Sequence, residues 1–277
     1  MNGQASRLIE LKKLAELGKR PSSSKIVSVC SGKGGTGKTF FSANFSYQLS
    51  KLDQRVLLID LDLNFSNLNI LLNRTSSKTI SNFFEQSEPL EEIIVNYSAN
   101  LDLIFGDSGR SDFPRVSREI IDYLFYAIKK IQHNYDYIIL DSSAGADDLV
   151  LHQLMKSDYN IIVTSPEPTA IMDSYVVIKF LIENGSGAER FVVVNKSGDP
   201  EEGENAFMNL STAVNHFLKE KIELLGLISF DASAHKSIVN QALLLNFDVN
   251  SIAADEINHN AGRFMTIAQM ANNNQPR

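Results

Sequence analysis

The sequence predicts an α/β domain: a mostly parallel, twisted sheet flanked by helices on both faces. Three observations carry that expectation. Short apolar runs alternate with helix-length segments along most of the chain, the pattern of strands wound by crossover helices. A glycine-rich stretch, Gly32-Lys33-Gly34-Gly35-Thr36-Gly37-Lys38-Thr39, joins the first run to the first helix. Two later runs end directly in acids, Asp60 and Asp141, as expected where the carboxyl edge of a parallel sheet faces a ligand crevice.

Taken in order, the strand-like runs are 26–30, 56–59, 101–105, 137–140, 161–163, 191–194 and 224–228. Between them the spacing predicts helices over 39–51, 117–132, 147–156, 169–183 and 206–219, with Thr169 near one amino end and Asn184-Gly185 as a stop. Pro21-Ser22-Ser23-Ser24 marks a boundary, so the expected organisation is a leader over 1–24, one domain over 25–251 and a carboxyl-terminal helix with a polar tail over 252–277.

Composition narrows the class. With no apolar stretch of transmembrane length, and Met1-Asn2-Gly3-Gln4 unlike a signal peptide, the protein is expected in the cytoplasm. The net charge of −7 disfavours a nucleic-acid partner, because counterion release needs clustered Lys and Arg. The single cysteine, Cys30, excludes an internal disulfide and reads as a small core residue; the five histidines lack ligand spacing. The leader is locally basic: Arg7, Lys12, Lys13, Lys19, Arg20 and Lys25 face only Glu10 and Glu16. With Ala5, Leu8, Leu11 and Ala15 at helical spacing, it is a candidate amphipathic element for a protein partner or a membrane surface.

The glycine-rich stretch reads as a phosphate-binding loop. Gly34, Gly35 and Gly37, with Thr36, let successive N–H groups curl around phosphate oxygens; Lys38 reaches the outer phosphates; the Thr39 hydroxyl ligates Mg²⁺. ATP with Mg²⁺ is the expected ligand. Asp60 is placed to act on the Mg²⁺ shell, while Asp62, two residues further out, can orient an attacking water. Asp141 reads as the Walker B acid that holds Mg²⁺ through water. Asp60 and Asp62 have the alternative of capping the following helix. Asn195 ends another apolar run, where its amide can serve adenine's edge or a turn.

A second lysine, Lys33, directly follows the first glycine. Lys33-Gly34-Gly35-Thr36-Gly37-Lys38-Thr39 resembles the deviant Walker A motif of the MinD/ParA (SIMIBI) class of NTPases. The resemblance implies a single P-loop NTPase domain, slow ATP hydrolysis, and an ATP-dependent homodimer in which Lys33 reaches the partner's phosphates. Asp60 to Leu72 matches the first switch of the class, and Asp141-Ser142-Ser143-Ala144-Gly145 is similar to the second, where Gly145 admits a γ-phosphate.

Two segments point within the class. Pro166-Glu167-Pro168-Thr169-Ala170-Ile171-Met172-Asp173-Ser174-Tyr175 is similar to the PEPTAITDAY stretch of the FlhG/FleN flagellar-number regulators. That resemblance places the helix at the dimer face and pairs Asp173 with Lys33. Gly3-Gln4-Ala5-Ser6-Arg7-Leu8 resembles the leader element with which these regulators engage a GTPase, which makes Gln4, Ala5 and Leu8 partner-binding candidates; Gly3 and Ile9 depart from that element. At the carboxyl end Phe264, Ile267, Ala268 and Ala271 form a narrow stripe with little basic charge, expected to pack on the domain or to attach weakly to a membrane. The implied function is an ATP-operated switch of flagellar number or placement. Its expected partner is an FlhF-like GTPase, a flagellar transcription regulator or a C-ring component. Competing expectations are a partitioning or division-site ATPase, and a nucleotide-gated scaffold with negligible hydrolysis.

Overall fold

A computed structural model describes residues 24–62, 66–107 and 116–273; the candidate leader contacts Gln4, Ala5 and Leu8 lie outside them. The strands are β1 (Lys25–Ser31), β2 (Val56–Leu61), β3 (Val95–Ser98), β4 (Leu101–Ile104), β5 (Tyr137–Ala144), β6 (Tyr159–Thr164), β7 (Glu189–Ser197) and β8 (Glu223–Ser229). They form one sheet in the order β3-β4-β2-β5-β1-β6-β7-β8. All neighbours are parallel except β3 and β4.

Helices cover both faces, so the strands are apolar on both sides rather than alternating. On one face Val27, Val29, Leu58, Ile139, Ile161 and Val193 pack against α1 (Lys38–Lys51) and the long carboxyl-terminal helix. On the other, Leu57, Ile59, Ile138 and Leu140 meet the helix Arg118–Ile131, while Cys30, Ile162, Val192 and Val194 meet the helices Pro168–Glu183 and Pro200–Leu218. Cys30 is fully buried, and burial pushes its thiol up to about 12, which makes it a core residue without nucleophilic reactivity at neutral pH.

The remaining helices, in chain order after α1, are α2 (Leu68–Leu71), α3 (Ile80–Phe84), α4 (Arg118–Ile131), α5 (Asp148–Leu154), α6 (Pro168–Glu183), α7 (Pro200–Leu218), α8 (Ala232–Val239), α9 (Leu244–Phe247) and α10 (Ile252–Asn273). Helix α7 begins six residues before the position expected from apolar spacing. Asp199 caps it by accepting the Glu202 N–H at 2.8 Å, and Pro200 occupies its first turn. Its charged first turn hides the apolar period. Strand β3 lies outside the predicted apolar runs, because Val95-Asn96-Tyr97-Ser98 is an edge strand with no fully buried side chain.

Helix α10 belongs to the same core as the rest of the domain. Phe264 is fully buried and meets Phe45, Tyr137, Tyr159 and Phe191 edge-on or tilted, at centroid distances of 5.3 to 6.1 Å. Ala268 is buried beside it, which leaves the stripe's main apolar residues engaged in the core. Among the described residues no helix is long and apolar enough to cross a membrane.

Candidate nucleotide site

The glycine-rich loop lies between the carboxyl end of β1 and the amino end of α1, so the helix's free N–H groups and its dipole face the crevice. Gly35 and Gly37 hold φ of 83° and 91°, a left-handed conformation that glycine adopts without the Cβ penalty. Around Gly34 and Gly35 a built Cβ would meet nothing within 4 Å, so this rim of the loop is open.

Behind the rim the sheet places its acids. Asp60 and Asp141 are register partners on β2 and β5, and both are fully buried. Two carboxylates side by side in a dry site are held there by donors. Lys38 gives its ammonium to Asp141 Oδ1 at 2.9 Å, and the Ser42 hydroxyl donates to the same oxygen at 2.9 Å. Asp60 accepts from the Ser66 hydroxyl at 2.6 Å, the Asp62 N–H at 3.0 Å and the Leu68 N–H at 3.4 Å. Burial, reinforced by the Asp141 charge, pushes the Asp60 carboxyl up to about 7. Burial pulls the Lys38 ammonium down, but the Asp141 charge and hydrogen bond, with the charges of Asp60 and Asp62, outweigh it and leave Lys38 above its ordinary value.

This donor set fits Mg²⁺. Asp141 Oδ2 is buried and has no hydrogen-bond partner, and a hard divalent cation is the chemical group that satisfies an orphaned carboxylate oxygen beside a second carboxylate. Thr39 stands in the first turn of α1, on the next residue after Lys38. Asp62, half-buried, is two residues beyond Asp60 at the end of β2. Gly145 follows β5 with φ of 101° and donates its N–H to the Ser31 carbonyl at 2.8 Å, which docks the turn after β5 against the start of the loop.

A cavity of about 210 Å³ opens beside the loop, lined among others by Gly37, Phe40, Asn195, Phe230 and Ile238. Its apolar walls suit a planar base.

Residues 24–183 match the family described as an AAA domain. The chain is 31% identical to the Pseudomonas aeruginosa antiactivator FleN over 218 residues, 78% of each protein. It is 31% identical to the flagellum site-determining protein YlxH of Helicobacter pylori over 271 residues, 95% of this chain and 90% of the relative. The fold superposes on the septum site-determining protein MinD of Pyrococcus horikoshii, solved with Mg-ADP, at a TM-score of 0.72 and 22% identity, covering 89% of this chain and 98% of that one. The chain is a MinD/ParA-family ATPase.

In this MinD/ParA-family ATPase the signature lysine has an intrachain partner that the resemblance does not imply. Lys33 Nζ donates to Glu167 Oε2 at 2.6 Å and to Thr169 Oγ1 at 3.0 Å, both at the start of α6. The ammonium's hydrogen bond and charge hold Glu167 below the ordinary glutamate value. Asp173, expected to pair with Lys33, sits one turn further along α6. There its backbone is pressed onto the loop: a Cβ on Gly32 would lie 2.2 Å from the Asp173 carbonyl carbon. Asn195 likewise has a partner other than a base edge, since its Nδ2 donates to the Thr36 carbonyl at 2.7 Å.

Several site residues of this ATPase escape the sequence reading. Ser42 lies four residues after Lys38, on the same face of α1, and that spacing could have flagged it. Glu167 and Thr169 lie within the PEPTAIMD stretch, where nothing in their spacing marks them as partners of Lys33. Ser66 falls at an unspecified position inside the Asp60 to Leu72 match, and Lys196 carries no periodic or motif signal.

Proposed function

We propose that this ATPase is a nucleotide-operated switch of the FlhG/FleN type. ATP and Mg²⁺ bring two copies together at their loops, the dimer engages a flagellar assembly or regulatory partner, and slow hydrolysis resets it. In this reading Lys38, Thr39, Asp60 and Asp141 hold the nucleotide with its Mg²⁺, which neutralises phosphate charge. Asp62 orients the attacking water, and Lys33 adds a cation across the dimer.

The observation that carries the reading is the seating of the PEPTAIMD segment on the loop. Glu167 and Thr169 hold the Lys33 ammonium, and the Asp173 backbone abuts Gly32. Thus the segment most similar to the flagellar regulators touches the residue on which dimerisation turns, and any shift of α6 reaches Lys33 directly. A relative named as a flagellum site-determining protein, matched over 95% of this chain, supports the same output.

Light scattering of the full chain with and without ATP–Mg²⁺ tests the switch: ATP should convert monomer to dimer, and Asp62→Ala should prolong the dimer. A chain that stays monomeric in ATP sinks the cycle. Deleting the gene in a flagellated host and counting flagella tests the output, and an unchanged number and placement would remove the flagellar assignment.

A further inference from the structure

Asn195 and Lys196 are neighbours at the end of β7, and in an extended strand neighbouring side chains leave on opposite faces. Here both reach the same loop. Asn195 Nδ2 donates to the Thr36 carbonyl at 2.7 Å, and Lys196 Nζ donates to the Gly35 carbonyl at 2.7 Å.

The device that permits this is a bulge. Pairing with β8 steps from Asn195↔Ile228 to Ser197↔Ser229, with the register broken at Lys196. Lys196 adopts φ of 63°, a left-handed conformation that carries a cost for any residue with a Cβ. Such bulges re-aim a side chain beside a functional site. Asn195 is itself fixed, since it is buried and its Oδ1 accepts the Lys196 N–H at 3.0 Å. The loop is shaped to receive it: a Cβ on Gly37 would lie 2.2 Å from Asn195 Nδ2.

Peptide geometry gives these contacts a consequence. Across a planar trans peptide, the carbonyl of one residue and the N–H of the next point in opposite directions. Tying the Gly35 and Thr36 carbonyls toward β7 therefore aims the N–H groups of Thr36 and Gly37 away from β7, into the concavity where phosphate oxygens are cradled. We infer that Asn195 and Lys196 form a two-point clamp that sets the loop's peptide planes for phosphate binding. They are positioning residues, acting through the loop backbone. The inference rests on the loop being the phosphate site; if that reading fails, the unaltered chain will bind neither ADP nor tripolyphosphate.

Calorimetric titration of the full chain with ADP, tripolyphosphate and GTP against ATP tests the clamp. Asn195→Ala and Lys196→Met should each weaken ADP and tripolyphosphate, which carries no base, about tenfold, the scale of one hydrogen bond, and Lys196→Met should leave the ATP:GTP preference unchanged. Lys196→Arg should restore most of the loss. Lys196→Gly should bind as weakly as Lys196→Met without a lower unfolding midpoint, because it removes the left-handed cost together with the tie. Tripolyphosphate affinity unchanged in both Asn195→Ala and Lys196→Met would overturn the clamp. So would a loss confined to the ATP:GTP preference, a loss that vanishes at high salt, or a Lys196→Gly midpoint that falls in step with affinity.

Discussion

Lys33 and Lys38 belong to one loop, yet its two ends treat the same side chain in opposite ways. Lys38 is buried against a fully buried carboxylate at 2.9 Å, inside the site; Lys33 is exposed against an exposed carboxylate at 2.6 Å, on the rim. Distance therefore says little about which pair matters to stability. A buried ion must keep its partner because the alternative is an uncompensated charge in a dry site. A rim pair exchanges with water at little cost, so its geometry can change when something else arrives. The inner end of the loop is held by a buried pair, and the outer end by a solvent-exposed one.

The largest expected effect comes from breaking the inner pair. Lys38→Ala leaves Asp141 buried beside Asp60 with no cation, and should cost about 3–5 kcal/mol in urea unfolding as well as nucleotide binding. Lys38→Met combined with Asp141→Asn should recover most of that stability and none of the binding, which separates the folding role from the ligand role. Recovery of nucleotide binding in the double variant would erase the distinction between the two ends.

Next comes pH. The folded Asp60 carboxyl sits at about 7, above the ordinary 3.8, so its neutral form is favoured in the fold. That contribution is complete below about pH 3.8, is lost progressively as pH rises through about 7, and is absent above it. Relative to Asp60→Asn, the unaltered chain should lose up to about 4 kcal/mol across that window, read as a growing gap between the two unfolding midpoints. A gap that is flat with pH would show that Asp60 is ionised throughout.

The glycine between the two ends should give an intermediate effect. Gly37→Ala meets both a φ of 91° and a contact of 2.2 Å with Asn195 Nδ2, and should cost about 1–3 kcal/mol in unfolding. Smallest in stability is the rim. Glu167→Gln should leave the unfolding midpoint close to that of the unaltered chain, yet it releases Lys33 and should lower the ATP concentration at which light scattering detects the dimer. Lys33→Ala should keep the fold and abolish the dimer. If Glu167→Gln destabilised the chain as much as Lys38→Ala, the two ends would not differ in kind.

The inner end was also the more legible of the two. Gly37, Lys38 and Thr39 stand at fixed spacing, and Asp60 and Asp141 end buried runs, so pattern and chemistry coincide there. At the rim the residues that meet are far apart in the chain and exposed, and exposure leaves no period to read. Lys33 is thus legible in the sequence without its intrachain partners Glu167 and Thr169.

What the sequence determined by itself is whatever is encoded locally. The apolar runs set the strands and their burial, the glycines set the loop's curvature, and the motif order set the family. The late start given to α7 and the omission of β3 show the limit, since a charged first turn and a half-exposed edge strand carry no apolar period. Only the tertiary structure decided which donors meet which acceptors. The sheet order brings β2 beside β5 and thereby Asp60 beside Asp141, and the bulge at Lys196 turns two consecutive side chains onto one loop. The physical reason is that hydrogen bonds and ion pairs depend on ångström-scale placement of groups distant in the chain, and that placement is set by packing the whole sheet.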